Sequence, residues 1–124
     1  MSLKKFIVEI GQGIDQHGQD PTKAARKAVA DAISRSCLCG LVEIIGLKDL
    51  NQIEVEVLIA CPYPERVKTE EVLEVIPFGR KRLEVIEGGM IARGIYQPEL
   101  GDKSDEILVA NAAVTVWVSM EKEG

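Results

Sequence analysis

The segment from Glu106 to about Met120, EILVANAAVTVWVSM, constrains this chain more than any other. At the two-residue period of a strand, Leu108, Ala110, Ala112, Val114, Val116 and Val118 share one face. Ile107, Val109, Asn111, Ala113, Thr115 and Trp117 share the other. The first face is wholly apolar and the second mostly so. A strand of this kind belongs inside a sheet covered on both sides. The helices the rest of the chain can form are enough for one covering layer. The expectation is that copies of the chain supply the second, as a homo-oligomer.

The remaining elements follow from periodicity and from turn residues. Lys4 to Ile10 alternates, with Phe6, Val8 and Ile10 on one face and Lys5, Ile7 and Glu9 on the other, which predicts a first strand. A glycine-rich stretch, Gly11 to Gln19, reads as a loop. Asp20-Pro21 then opens a helix: Asp caps it, and proline is tolerated at the first helical position. Ala25, Ala28, Val29, Ala32 and Ile33 form a narrow apolar stripe along it, small enough for the helix to lie close on a sheet. Asn51 to Ala60 alternates as a second strand, ended by Pro62 and Pro64, and Glu65 to Ile76 reads as a shorter helix stopped by Pro77-Phe78-Gly79. A third strand runs from Lys81 towards Tyr96, with Gly88-Gly89 read as a bulge or kink. Pro98 to Asp105 is a turn. The expected fold is one α/β domain over residues 1–124, an α+β sandwich of order β-α-β-α-β-β with two helices on one face of a four-stranded mixed sheet.

Composition removes several function classes. A formal net charge of −5 and an aromatic content of 4% leave neither the basic face nor the stacking platform of a nucleic-acid binder. No stretch reads as a signal peptide or membrane span, and the three cysteines (Cys37, Cys39, Cys61) do not form a secreted disulfide framework. A cytoplasmic location is expected, with reduced thiols. Cys37-x-Cys39 lacks the usual zinc spacing, and neither a metal nor a cofactor is expected.

The densest set of polar groups is GQGIDQHGQDPTK, Gly11 to Lys23, between a strand and a helix N-terminus. Ligands often sit there in α/β proteins, because free N–H groups and the helix dipole favour anions. Gly11-x-Gly13 is not a dinucleotide fingerprint, since Gln16 stands where the third glycine would be. Lys27, Asp31 and Arg35 can form an i, i+4 ladder. Lys23 and Arg26 have no such partner and oppose the helix dipole, so they are either solvated or face an anion.

Asp15-x-His17-x-x-Asp20 has three readings: a carboxylate–imidazole pair for general-base chemistry, three ligands of a weak metal site, or turn and cap residues. Neither His17 nor Lys23 shows a structural duty in the sequence. Three functions therefore stand side by side. The first binds a small polar or anionic metabolite through Gly11, Gly13, Gln19, Asp20, Lys23 and Arg26, near a subunit interface. The second is a small hydrolase or lyase with His17 or Asp15 as base. In the third the loop serves assembly alone.

GIDQHGQDPTKAARKAVADAI, with Pro77-Phe78-Gly79 and Gly88-Gly89, resembles a family of small conserved hypothetical prokaryotic proteins, over nearly the whole chain. HGQDPTKAA is the most specific part of the likeness. The element order is also similar to the trimeric chorismate-mutase-like fold, which implies trimers with metabolite clefts between subunits. Likeness of fold says little about chemistry.

Overall fold

The computed structural model describes residues 2–120. Five strands, β1 (Ser2–Asp15), β2 (Glu54–Cys61), β3 (Arg80–Glu87), β4 (Met90–Arg93) and β5 (Glu106–Met120), form one mixed sheet. The helices are α1 (Pro21–Ile33), α2 (Cys39–Glu43) and α3 (Thr69–Leu73). The strand order is β1-β5-β2-β3. Strand β5 runs antiparallel to β1, β2 and β4, while β2 and β3 are parallel, joined through α3. The α+β class and the mixed sheet are as the sequence predicts. The long apolar segment is indeed interior to the sheet.

The strand count differs because Gly88-Gly89 is a crossing rather than a bulge. Residues before it pair with β2; those after it pair with β5, Met90 opposite Val109 and Arg93 opposite Glu106. The chain passes over the end of β2 so closely that a Cβ at Gly89, where φ is +66°, would fall on the Val109 carbonyl. One predicted strand thus becomes two, and the second ends at Arg93 rather than Tyr96. The predicted helix over Glu65 to Ile76 is likewise divided, into a 3₁₀ turn at Pro64–Arg66 and the single short α3.

Strand β1 departs most from its sequence pattern. It continues through the glycines to Asp15, and its register shifts between Lys5 and Ile7. The shift exchanges the faces. Ile7 and Phe6 pack against the core and Glu9 is buried, while Val8 and Ile10 are 51% and 61% exposed. The reason lies in Gly11 and Gly13. A Cβ at Gly11 would fall on Ala28 O and Ala32 N, and one at Gly13 on Ala24 O and Ala28 N. Helix α1 therefore lies backbone to backbone on β1, its small residues Ala24, Ala28 and Ala32 against two glycines. That contact fixes which face of β1 turns inward.

The core forms between this face of the sheet and the helices, from Val29, Leu41, Val57, Ile59, Leu108 and Val114 among others. On the opposite face, Val8, Ile10, Ile14, Leu58, Ile86 and Met90 are exposed. No helix among the described residues is long and apolar enough to cross a membrane.

Candidate functional site

The sequence places a loop between Gly11 and Asp20; only Gln16 to Asp20 is outside regular structure. Gly11 and Gly13 lie under α1 rather than facing open space. Asp15, at the end of β1, is buried and accepts the Asp20 N–H through Oδ2 at 2.8 Å. Asp20 adopts an extended backbone and accepts from the Thr22 and Lys23 N–H groups at 2.9 and 3.4 Å. It is the helix cap the sequence predicts, and its carboxylate already occupies the amides an anion would use.

A residue missed in the sequence organises the loop. Asp102, in the turn before β5, has a side chain only 1% exposed. It accepts from His17 Nδ1 at 2.8 Å, Gly18 N at 2.8 Å, Gln19 Nε2 at 3.0 Å and Gln97 N at 3.0 Å. Burial pushes the Asp102 pKa up, but the hydrogen bonds from His17, Gln97, Gly18 and Gln19 outweigh it. They hold the carboxyl well below the usual carboxylate range. An ionised Asp102 only accepts, so His17 donates to it through Nδ1, and a neutral ring then leaves Nε2 as an acceptor. His17 therefore has a structural duty, contrary to the sequence expectation, and its carboxylate partner is Asp102 rather than Asp15.

Gln19 completes the clamp from a left-handed backbone, φ +52°. Buried, it donates to Asp102, to Ser104 O and to Glu106 O, and accepts the Lys103 N–H at 2.8 Å. The local signal for Asp102 was slight: a Gly-Asp pair in a Pro- and Asp-rich turn reads as turn chemistry, and its 85-residue separation from His17 is set by β5 lying beside β1.

The cations also change partners. Arg26, without a partner in its own helix, donates to Glu71 O and faces Glu74 at 3.3 Å. Lys27 donates to Ile14 O at 3.0 Å instead of pairing with Asp31, which pairs with Arg35 at 2.6 Å. Lys23 is exposed and makes no ion pair among the described residues.

Beside the loop is an open cleft of about 470 Å³, floored by Gly18 to Thr22 and flanked by Arg66, Lys68 and Lys103. Arg66 is held in place: it donates to Gln19 O at 3.3 Å and lies 5.1 Å from the Tyr63 ring centre. The Tyr63 hydroxyl donates to Glu106 at 2.8 Å, which raises its pKa, with burial adding to the effect. Lys68 and Lys103 are exposed and in no ion pair among the described residues. Of the residues singled out in the sequence, Gln19 and Asp20 line this cleft. Gly11, Gly13, Asp15, His17, Lys23 and Arg26 do not.

A family of conserved hypothetical proteins designated Lin0512_fam matches residues 5–116. The chain belongs to that family. The crystal structure, at 1.22 Å resolution, of an FtsZ-like protein of unknown function from Nostoc punctiforme is similar to it, with 54% sequence identity and a TM-score of 0.88. The match covers 97% of this chain and 99% of that one. No curated protein matches.

Proposed function

We propose that this member of the Lin0512 family is a self-associating protein that binds a small anionic metabolite, a carboxylate or phosphate ester, in the cleft beside the Gln16–Asp20 loop. One observation carries the reading: Arg66, Lys68 and Lys103, from two separate segments of the chain, flank one cleft whose floor is clamped by Asp102. A clamped floor means that little ordering cost falls on the ligand. Asp20 and Glu71 lie in the same cleft, so a single compact anion suits it better than a polyphosphate.

The test is a thermal-shift and calorimetric screen with dicarboxylates and sugar phosphates, run on the parent and on a Lys68→Ala/Lys103→Ala variant. Both lysines are exposed, so the variant should fold normally and lose the ligand-induced upshift. An equal upshift in the variant, or none from any anion in the parent, removes the reading.

A second reading, a hydrolase or lyase, is favoured by the His17–Asp102 pair. The carboxylate fixes the tautomer that leaves Nε2 free as a base, and the His17 side chain is 35% exposed. Its check is a hydrolysis screen with ester, amide and lactone substrates, in which His17→Gln should abolish any turnover seen. Turnover surviving in His17→Gln would exclude His17 as the base.

A further inference from the structure

At the other end of the sheet from Asp102, a cavity of about 410 Å³ opens where α1 ends and the sheet continues beneath. Its wall is apolar: Ile33, Leu38, Leu50, Ile76, Phe78 and Val116 line it, with Cys37 and Cys39, both exposed, among the lining residues. One charged side chain enters it. Glu9, opposite Val114 in the β1–β5 register, is 7% exposed, and its Oε2 is buried with no hydrogen-bond partner among the described residues. Among the described residues, no Lys, Arg or His lines the cavity.

A buried carboxylate oxygen left unpaired is costly, and a native fold ordinarily supplies it with a donor. Here none of the described residues supplies one. Simple packing would be better served by an apolar residue at position 9, since the neighbouring lining is aliphatic and aromatic. The volume is that of a small-molecule site, and such sites are mostly apolar with a few placed polar groups. A ligand that fills this one should be apolar over most of its surface and should carry one donor, preferably a cation, at the end that meets Glu9.

We infer that the cavity is a second ligand site, specific for a small apolar amine whose ammonium group pairs with Glu9. It is independent of the anion cleft, with no lining residue in common. A charged hydrogen bond to the ammonium supplies the missing donor, and the apolar walls take up the hydrocarbon.

The experiment uses hexylamine and benzylamine, with hexanol and hexanoate as uncharged and anionic controls of similar size. Binding is measured by calorimetry and by amide shift changes in NMR spectra of the full chain. The amines should bind at least tenfold more tightly than hexanol, hexanoate should not bind, and shifts should centre on Glu9, Phe78 and Val116. Glu9→Gln should remove the preference for amine over alcohol while leaving hexanol binding in place. Bound amine should also slow alkylation of Cys37 and Cys39, a readout that needs no variant. Equal binding of amine and alcohol to the parent, no binding of either, or an amine preference retained in Glu9→Gln would overturn the inference. If Glu9→Gln fails to fold, the parent's amine-to-alcohol ratio and the thiol protection decide it.

Discussion

At the scale of single residues, Gly13 and Asp102 carry the most. Gly13 is needed for space: its missing Cβ is what lets α1 rest on β1, and the groups that a Cβ would meet are backbone atoms unable to rotate away. Gly13→Ala should therefore destabilise the protein by about 3 kcal/mol, at the upper end of the usual overpacking cost. Urea unfolding checks this, and an unchanged midpoint would mean that the helix can lift off without loss. Asp102 is a pH-dependent support. Its folded pKa lies below the unfolded value of about 4, so its contribution is full above that pH and is lost as pH falls towards the folded value. Asp102→Asn should be less stable than the parent at neutral pH, and its stability should fall less on acidification from about pH 5 to pH 2. His17→Ala should lower the melting temperature as well, because it removes one of four donors to a buried carboxylate.

Among elements, α1 does more than cover the core. Asp20 caps its start, and Asp20→Ala should cost about 1 kcal/mol by thermal unfolding. Its outer side covers the free edge of β1. Lys27 donates to Ile14 O, Asp31 accepts the Gln12 N–H at 2.9 Å, and Arg35 reaches Ile10 O at 3.5 Å. The Gln12 N–H is also the main reason that the Asp31 pKa is lowered; burial opposes it and Arg35 adds to it. An edge strand with unpaired N–H and C=O groups invites another chain to pair with it, and these three side chains occupy the places such a chain would take. A Lys27→Ala/Asp31→Ala/Arg35→Ala variant should aggregate faster on incubation at raised concentration, as light scattering would show. Aggregation at the parent's rate would mean that the edge needs no cover.

For the whole molecule, the uncovered sheet face decides the proposed association. Val8, Ile10, Ile14, Leu58, Ile86 and Met90 come from four strands and expose apolar surface together, whereas scattered single apolar residues would need no explanation. With the β1 edge covered, association is expected through this face. Multi-angle light scattering at micromolar concentration should give a multiple of 13.6 kDa for the parent. Ile10→Glu, at a position 61% exposed, should give the single-chain mass without loss of fold. A parent that runs at 13.6 kDa removes the proposal.

Much of this fold was legible because it depends on neighbours in sequence. The Asp-Pro helix start, the alanine stripe of α1, the alternation of β2 and the two apolar faces of β5 are local patterns, and local patterns specify local structure. The fate of Gly11 and Gly13 was not legible. A glycine that opens a loop and one that admits a helix look alike until the helix has been docked. The same docking turned Glu9 inward, reversing the face that alternation in β1 suggested. At the candidate site the sequence marked the helix cap, Asp20. The partner of His17 lies 85 residues away, however, and only the β1–β5 pairing brings Asp102 to it. Periodicity and turn chemistry determined which elements form and where they begin. Burial, long-range hydrogen bonding and backbone contact between α1 and β1 exist only in the assembled sheet, and they decided which polar groups are held in the structure and which stay exposed.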